Sequence, residues 1–192
     1  MKPIHIIPLA DGGATGPELS LLEGLAAALA RVFQTPCRIR PDLFDVSFAW
    51  DAARQQYHST AILQCLERQC DPDARILGVT TYDLFVPVLT FVFGEAQLEG
   101  NCATVSLARL REEAYGMPAR EELLRERLLK EAVHELGHTL GLRHCADWQC
   151  VMTSSHAVER LDVKGVAFCA ACRKSVFGRE KGSARPHQMA RV

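Results

Sequence analysis

Between residues 134 and 152 the chain reads His-Glu-Leu-Gly-His-Thr-Leu-Gly-Leu-Arg-His-Cys-Ala-Asp-Trp-Gln-Cys-Val-Met. His134 and His138 stand four apart, so on a helix they share a face and their imidazoles can converge on one ion. Glu135 is one step round the helix, placed to reach a water on that ion and not the ion itself. A helix cannot supply a third ligand without adding another turn. Gly141 resolves this, because glycine accepts the left-handed backbone that ends a helix and reverses the chain, bringing His144 back to the other two. Three histidines leave one tetrahedral zinc position open, which marks a catalytic site more than a structural one. A surface helix that merely carries histidines does not account for five specified residues followed by Met152.

A second constellation overlaps the first. Cys145 and Cys150 form one pair, and Cys169 and Cys172 a second pair with the close two-residue gap of zinc knuckles. Four thiolates satisfy zinc completely and leave no place for water, so this ion would be structural. A thioredoxin-like redox pair at Cys169 and Cys172, or an iron–sulfur cluster, are the alternatives. The redox reading wants the pair beside a strand–helix unit near the start of the fold, which these residues are not. Cys145 is covalently next to His144, and Cys150 stands two residues before Met152. A zinc on the four cysteines would therefore clamp the segment that no helix holds. The other cysteines (Cys37, Cys65, Cys70 and Cys102) read as buried thiols. Cys65 and Cys70 repeat the spacing of Cys145 and Cys150, but residues five apart on a helix do not share a face.

The elements that must position these groups follow from periodicity and punctuation. Residues 4–9 read as a strand, followed by a glycine-rich turn and a helix with Pro17 at its first position and Leu21, Leu25, Ala28, Leu29 and Val32 on its apolar stripe. Strand, glycine turn and helix invite a dinucleotide fingerprint, but Asp11 occupies the first glycine place and would oppose a pyrophosphate. Residues 37–42 suggest a strand that Pro41 cuts short, residues 57–69 a helix and residues 74–80 a strand. That alternation favours parallel strands with covering helices. Residues 89–97 and 102–109 then read as strands whose short connection allows only antiparallel pairing. A long helix over 119–141 starts charged, with Glu121/Arg125 and Glu126/Lys130 at supportive spacing, and ends apolar apart from the histidine motif. Its second half must be buried, which puts the histidines on a cleft floor.

The expected class is α+β with an α/β-like N-terminal part: a mixed, mostly parallel sheet with an antiparallel edge strand, a long active-site helix and a zinc-stapled C-terminal subdomain. Residues 1–178 form one catalytic domain, divided at 141/142 into subdomains 1–141 and 142–178. Apolar periodicity disappears from Gly178, so 179–192 reads as a mobile tail, with His187 exposed in it. The net charge of −1 gives no general attraction to nucleic acid or anionic membranes. Between Cys150 and Cys169 only Arg160 and Lys164 are basic, beside Glu159 and Asp162, which argues against a nucleic-acid module. The N-terminal apolar run, broken by Pro8, is too short for a signal peptide, and no stretch has the length of a membrane span. These features predict a cytoplasmic monomer without nucleic-acid or membrane partners.

With these residues in view, the chain resembles the archaemetzincins, a branch of the metzincin clan of zinc metallopeptidases. The zinc motif runs into Cys145-x4-Cys150-x-Met152 and on to Cys169-x-x-Cys172. Upstream, Tyr82-Asp83-Leu84-Phe85-Val86-Pro87 and Thr90-Phe91-Val92-Phe93-Gly94-Glu95-Ala96 are also similar to family segments. The likeness covers roughly residues 3–175. It implies that an antiparallel edge strand lies above the cleft, that Phe91, Val92 and Phe93 line it, and that Met152 forms a hydrophobic floor beneath the histidines. It further implies a peptidase with two zinc ions per chain, in which Glu135 accepts a proton from water and later delivers it to the leaving amine. Tyr115 or an edge-strand backbone group is the candidate oxyanion stabiliser. An unguarded general protease would harm a cytoplasm, so a narrow peptide range is expected. A zinc-bearing peptide-binding protein without proteolytic activity is the rival reading.

Overall fold

The computed structural model describes residues 1–12, 16–69 and 71–178. The expectations for residues 13–15, Cys70, the 179–192 tail and His187 lie outside them. The main sheet contains β1 (Ile4–Ala10), β2 (Cys37–Ile39), β3 (Phe44–Asp45), β6 (Arg75–Thr80), β8 (Gly94–Ala96) and β9 (Cys102–Ser106). Its order is β2-β1-β6-β9-β8, with β3 also on β1; every pairing is parallel except β8 with β9. The expected antiparallel strand is therefore at one edge. A smaller sheet orders β4 (Trp50–Asp51), β5 (Gln56–His58) and β7 (Leu84–Phe85).

Pro8 sits inside β1, where a central strand should not tolerate it. Ile4 N–H, the Ile6 carbonyl and the Ala10 carbonyl all bond on the β2/β3 side, to Pro36, Arg40 and Val46. By the two-residue repeat, the N–H that Pro8 lacks would point the same way. There β2 has ended at Ile39 and β3 does not begin until Phe44, so no ladder bond is lost. Pro41 lies in that gap, as its shortening of the strand predicts.

Alternation along β1 builds two cores. Ile4 and Ile6, with Leu77, Val79, Ala103 and Val105, meet α1 (Leu19–Phe33) and α3 (Glu121–Thr139). Ile7, Leu9 and Ile76 face Ile62, Leu63 and Leu66 of α2 (Ser59–Gln69) on the other side. Helices thus cover both faces of the sheet. Two short helices follow α3: α4 (Val158–Val163) and α5 (Ala170–Phe177).

Several boundaries differ from expectation. Helix α1 starts at Leu19, so Pro17 precedes it and is buried. The helix expected from 57 begins at Ser59, because Tyr57 and His58 pair with Leu84 and Phe85. The strand expected over 89–97 shrinks to 94–96: Arg54 and Gln56 take the carbonyls of Leu89 and Thr90, while Val88 is exposed. The strand expected to reach 109 stops at Ser106, whose hydroxyl caps the Ala108 N–H at 3.1 Å. Cys37 and Cys65 are half-buried, not buried; only Cys102 of the described non-cluster cysteines is fully inside. The charged half of α3 is also less solvated than it reads. Arg127 is buried and bonds Glu112 and Asp162, and Lys130 reaches the Leu161 and Asp162 carbonyls, fastening α4.

Candidate active site

The buried second half of α3 carries His134 and Glu135 into the core and His138 to its rim. The helix ends as its glycine requires. Gly141 has φ 87°, its N–H bonds the His138 carbonyl at 2.9 Å, and Leu142 N–H bonds that of Gly137 at 3.1 Å. That reversal returns His144, and the ligating atoms of His134, His138 and His144 lie within 4.8 Å of one another.

The hydrogen bonds determine which nitrogens face inward. His134 Nδ1 donates to the Val151 carbonyl at 2.8 Å and His138 Nδ1 to the Leu142 carbonyl at 2.7 Å. With both Nδ1 atoms protonated, the neutral rings have bare Nε2 atoms, and these face each other at 3.1 Å. Two lone pairs in opposition are unfavourable unless a cation lies between them. Two nitrogens bound tetrahedrally at about 2.05 Å to one zinc would be about 3.3 Å apart, close to what is seen. Burial draws His134 down to about 2 and lowers His138 and His144 as well, so all three are neutral, as ligands must be. The residues present fit zinc.

The four cysteine sulfurs also lie within 4.8 Å of one another, Cys145 and Cys169 being 3.9 Å apart. A tetrahedral zinc with bonds of about 2.3 Å spaces its sulfurs by about 3.8 Å. The Cys172 amide beside Cys169 lowers that thiol toward the thiolate a metal needs, while burial raises the Cys150 and Cys172 thiols. Cys145 N–H bonds the Met152 carbonyl at 3.0 Å, and Cys169 N–H points at the Cys150 sulfur at 3.3 Å. The segment from His144 to Met152 is thereby tied to the cluster at both ends. Met152 is fully buried, its sulfur against Gly137, where an added Cβ would come within 2.5 Å of it.

Two recesses meet at the histidines and share Gly94, His134, Glu135 and His144. One, of about 300 Å³, is walled by Leu89, Thr90, Phe91, Val92 and Phe93 and by Ser154, Ser155 and His156, with Glu131 lining it. The other, of about 380 Å³, runs past Ala96, Leu98, His138 and Arg143. Phe91, Val92 and Phe93 thus sit on the wall, although they precede β8. Arg109 stacks over the Phe91 ring at 4.3 Å while its guanidinium grips Asp83, holding that wall in place. Tyr115 lines neither recess; its hydroxyl donates to the Arg109 carbonyl at 2.9 Å.

Sequence reasoning missed Glu131 and Lys164. Lys164, one of the two cations between the cysteine pairs, is 2 % exposed; its Nζ bonds Glu131 at 3.0 Å and the Thr153 carbonyl at 3.3 Å. Glu131 stands one helical turn before Glu135, a spacing that could have flagged it. Burial, Glu131 and Glu95 together raise the Glu135 carboxyl well above the usual range, and Lys164 opposes them.

Comparison with known proteins identifies the family. The model of Peptidase family M54 matches residues 39–177. The archaemetzincin of Methanocaldococcus jannaschii is 43% identical over 143 residues, covering 74% of this chain and 78% of that one. The crystal structure of the Archaeoglobus fulgidus archaemetzincin complexed with malonate superposes with a TM-score of 0.76 at 40% identity, over 90% of this chain and 99% of that one. A zinc-dependent peptidase from Methanocorpusculum labreanum gives 0.79 at 30% identity, again over 90% and 99%. No helix among the described residues is long and apolar enough to cross a membrane. The chain belongs to peptidase family M54, the archaemetzincins, and is a zinc metallopeptidase.

Proposed function

We propose that the chain cleaves a narrow set of peptides, with one zinc on His134, His138 and His144 and a second on Cys145, Cys150, Cys169 and Cys172. The observation that carries the first assignment is the enforced tautomer: two carbonyls occupy the Nδ1 protons and leave bare Nε2 atoms 3.1 Å apart. Zinc bound there supplies Lewis acidity, lowering the pKa of water and polarising a carbonyl.

The remaining chemistry is the chain's own. Glu135 stands where the two recesses meet and carries the proton, accepting it from water at its carboxylate and passing it to the leaving amine. Gly94 leaves room for that carboxylate, its Cβ position lying 2.7 Å from Glu135 Cγ. The free side of β8 offers backbone groups to an extended peptide, and Phe91, Val92 and Phe93 supply the wall against which a side chain packs. Recesses of about 300 and 380 Å³ on the two sides of the histidines support a restricted range of flanking side chains. The cysteine cluster makes 142–178 a stapled subdomain of the 1–178 domain, with Met152 as the floor under the histidines. With a net charge of −1, we read the protein as a cytoplasmic monomer that engages neither nucleic acid nor membrane.

The test is peptide-library cleavage by protein carrying a measured zinc content, with and without chelator, beside Glu135→Gln. Turnover should vanish in the variant and with chelator, while the variant keeps both zincs. Equal cleavage by Glu135→Gln removes its role. Peptide binding without any turnover by the wild type would favour the binding-protein reading instead.

A further inference from the structure

The two halves of the cleft differ in where a cation lies. Beyond the shared residues, the first half has an apolar wall of Leu89, Phe91, Val92 and Phe93 facing polar groups, Thr90, Glu131, Ser154, Ser155 and His156. Among the described residues lining either half, Arg143 is the single lysine or arginine, and it lies in the second. The neighbouring cations are all engaged. Lys164 is paired with Glu131, Arg109 with Asp83, and Arg54 donates to the Leu89 and Thr90 carbonyls. Arg143 makes no ion pair or hydrogen bond among the described residues. Glu99 comes close to the same turn, its carboxylate 3.0 Å from the Gly141 Cβ position, yet it does not pair with Arg143. Neither of the two acids in the same recess, Glu135 and Glu95, pairs with Arg143; Glu95 accepts from Thr60 at 2.8 Å, and its other oxygen is buried without a hydrogen-bond partner among the described residues.

The backbone under Arg143 is held on both sides. Leu142 is buried and its carbonyl takes the His138 Nδ1 proton, while His144 belongs to the histidine trio. An exposed guanidinium on an anchored backbone, beside the reacting position and without a partner among the described residues, can form a forked pair with a carboxylate.

We infer that Arg143 is a specificity residue that selects substrates carrying a carboxylate on one side of the scissile bond, opposite an apolar side chain seated against Phe91 and Phe93. An acidic side chain and a free C-terminus are the two sources of that carboxylate. The inference rests on the peptidase reading of the cleft, and it goes further by naming the substrate class.

Its test separates the two. Fluorescent octapeptides with a central Phe, carrying Glu, Gln or Lys in turn at each flanking position, are titrated against zinc-loaded Glu135→Gln protein, so that affinity is read without turnover. A parallel pair has a free or an amidated C-terminus. At one position Glu should bind about fivefold tighter than Lys at low salt, with the difference falling toward parity at about 0.5 M salt. Arg143→Gln should abolish the preference and Arg143→Glu invert it. A preference that appears only with the free C-terminus assigns the carboxylate to the chain end. No position differing by more than about twofold, a preference that survives Arg143→Gln, or no peptide binding at all overturns the inference. Cleavage by the wild type without any charge preference leaves the peptidase reading intact; charge-selective binding without cleavage does the reverse.

Discussion

Gly94→Ala is the sharpest probe of how the fold positions Glu135, the proposed proton carrier. A Cβ at residue 94 would lie 2.6 Å from the Thr104 carbonyl oxygen, 2.7 Å from Glu135 Cγ and 3.0 Å from its Cδ. The Thr104 carbonyl belongs to β9, paired with β6 on its far side, so it has little freedom to retreat. The Glu135 contact falls about 0.7 Å short of an ordinary 3.4 Å separation. The methyl group therefore pushes β8 outward, the carboxylate away, or both. Overpacking of this kind costs about 1–3 kcal/mol of stability. A catalytic group displaced by close to 1 Å loses about 100-fold in rate, or about 2.7 kcal/mol of transition-state stabilisation. Because Gly94 is not among the residues of either candidate metal cluster, zinc content should stay at the wild-type level. Steady-state cleavage, a thermal melt and metal analysis on one preparation resolve these effects. A variant with wild-type zinc and a kcat within about twofold of the parent would refute the idea that Gly94 makes room for Glu135.

Three further outcomes follow from other contacts. Cys169→Ser should lose the proposed cysteine-bound zinc and weaken the proposed histidine-bound one, because His144 and Met152 are tied to the cluster; full retention of the latter on dialysis would break that link. Lys164→Met leaves the buried Glu131 carboxylate unpaired and should cost about 3–5 kcal/mol in urea denaturation, most of it recovered when Glu131→Leu is added; a loss below about 1 kcal/mol counts against the pair. Burial pushes the Cys37 thiol up to about 12 from an ordinary 9.0, so folding favours its neutral form. That contribution is complete below the ordinary value and is lost as pH rises from there toward the folded one. Cys37→Ala should thus show a smaller fall in melting temperature between about pH 8 and 10 than the wild type, and an equal fall would exclude Cys37 as a source.

Much of the molecule was legible in residue order because its constraints are local. Histidines four apart, a glycine where a helix must reverse and a cysteine beside the third histidine are short-range facts, and they mark two candidate ligand sets before any folding is considered. The antiparallel strand was legible for the same reason, since a loop as short as 97–101 permits no other pairing. What residue order could not supply depends on contacts distant in sequence. The β4–β5–β7 sheet consists of strands two or three residues long, too short for any period to show, and only their mutual pairing creates them. Lys164 looks like a surface charge until the fold buries it on Glu131, thirty-three residues away. Pro8 is tolerated because β2 and β3 leave a gap beside it. The amino-acid sequence by itself determined which atoms could bind metal and which could carry a proton. The tertiary structure alone decided which nitrogens of His134 and His138 face inward, how closely Gly94 confines Glu135, and that Arg143 stands in the cleft without a partner among the described residues. Those depend on carbonyls, strand edges and charges brought together from far along the chain.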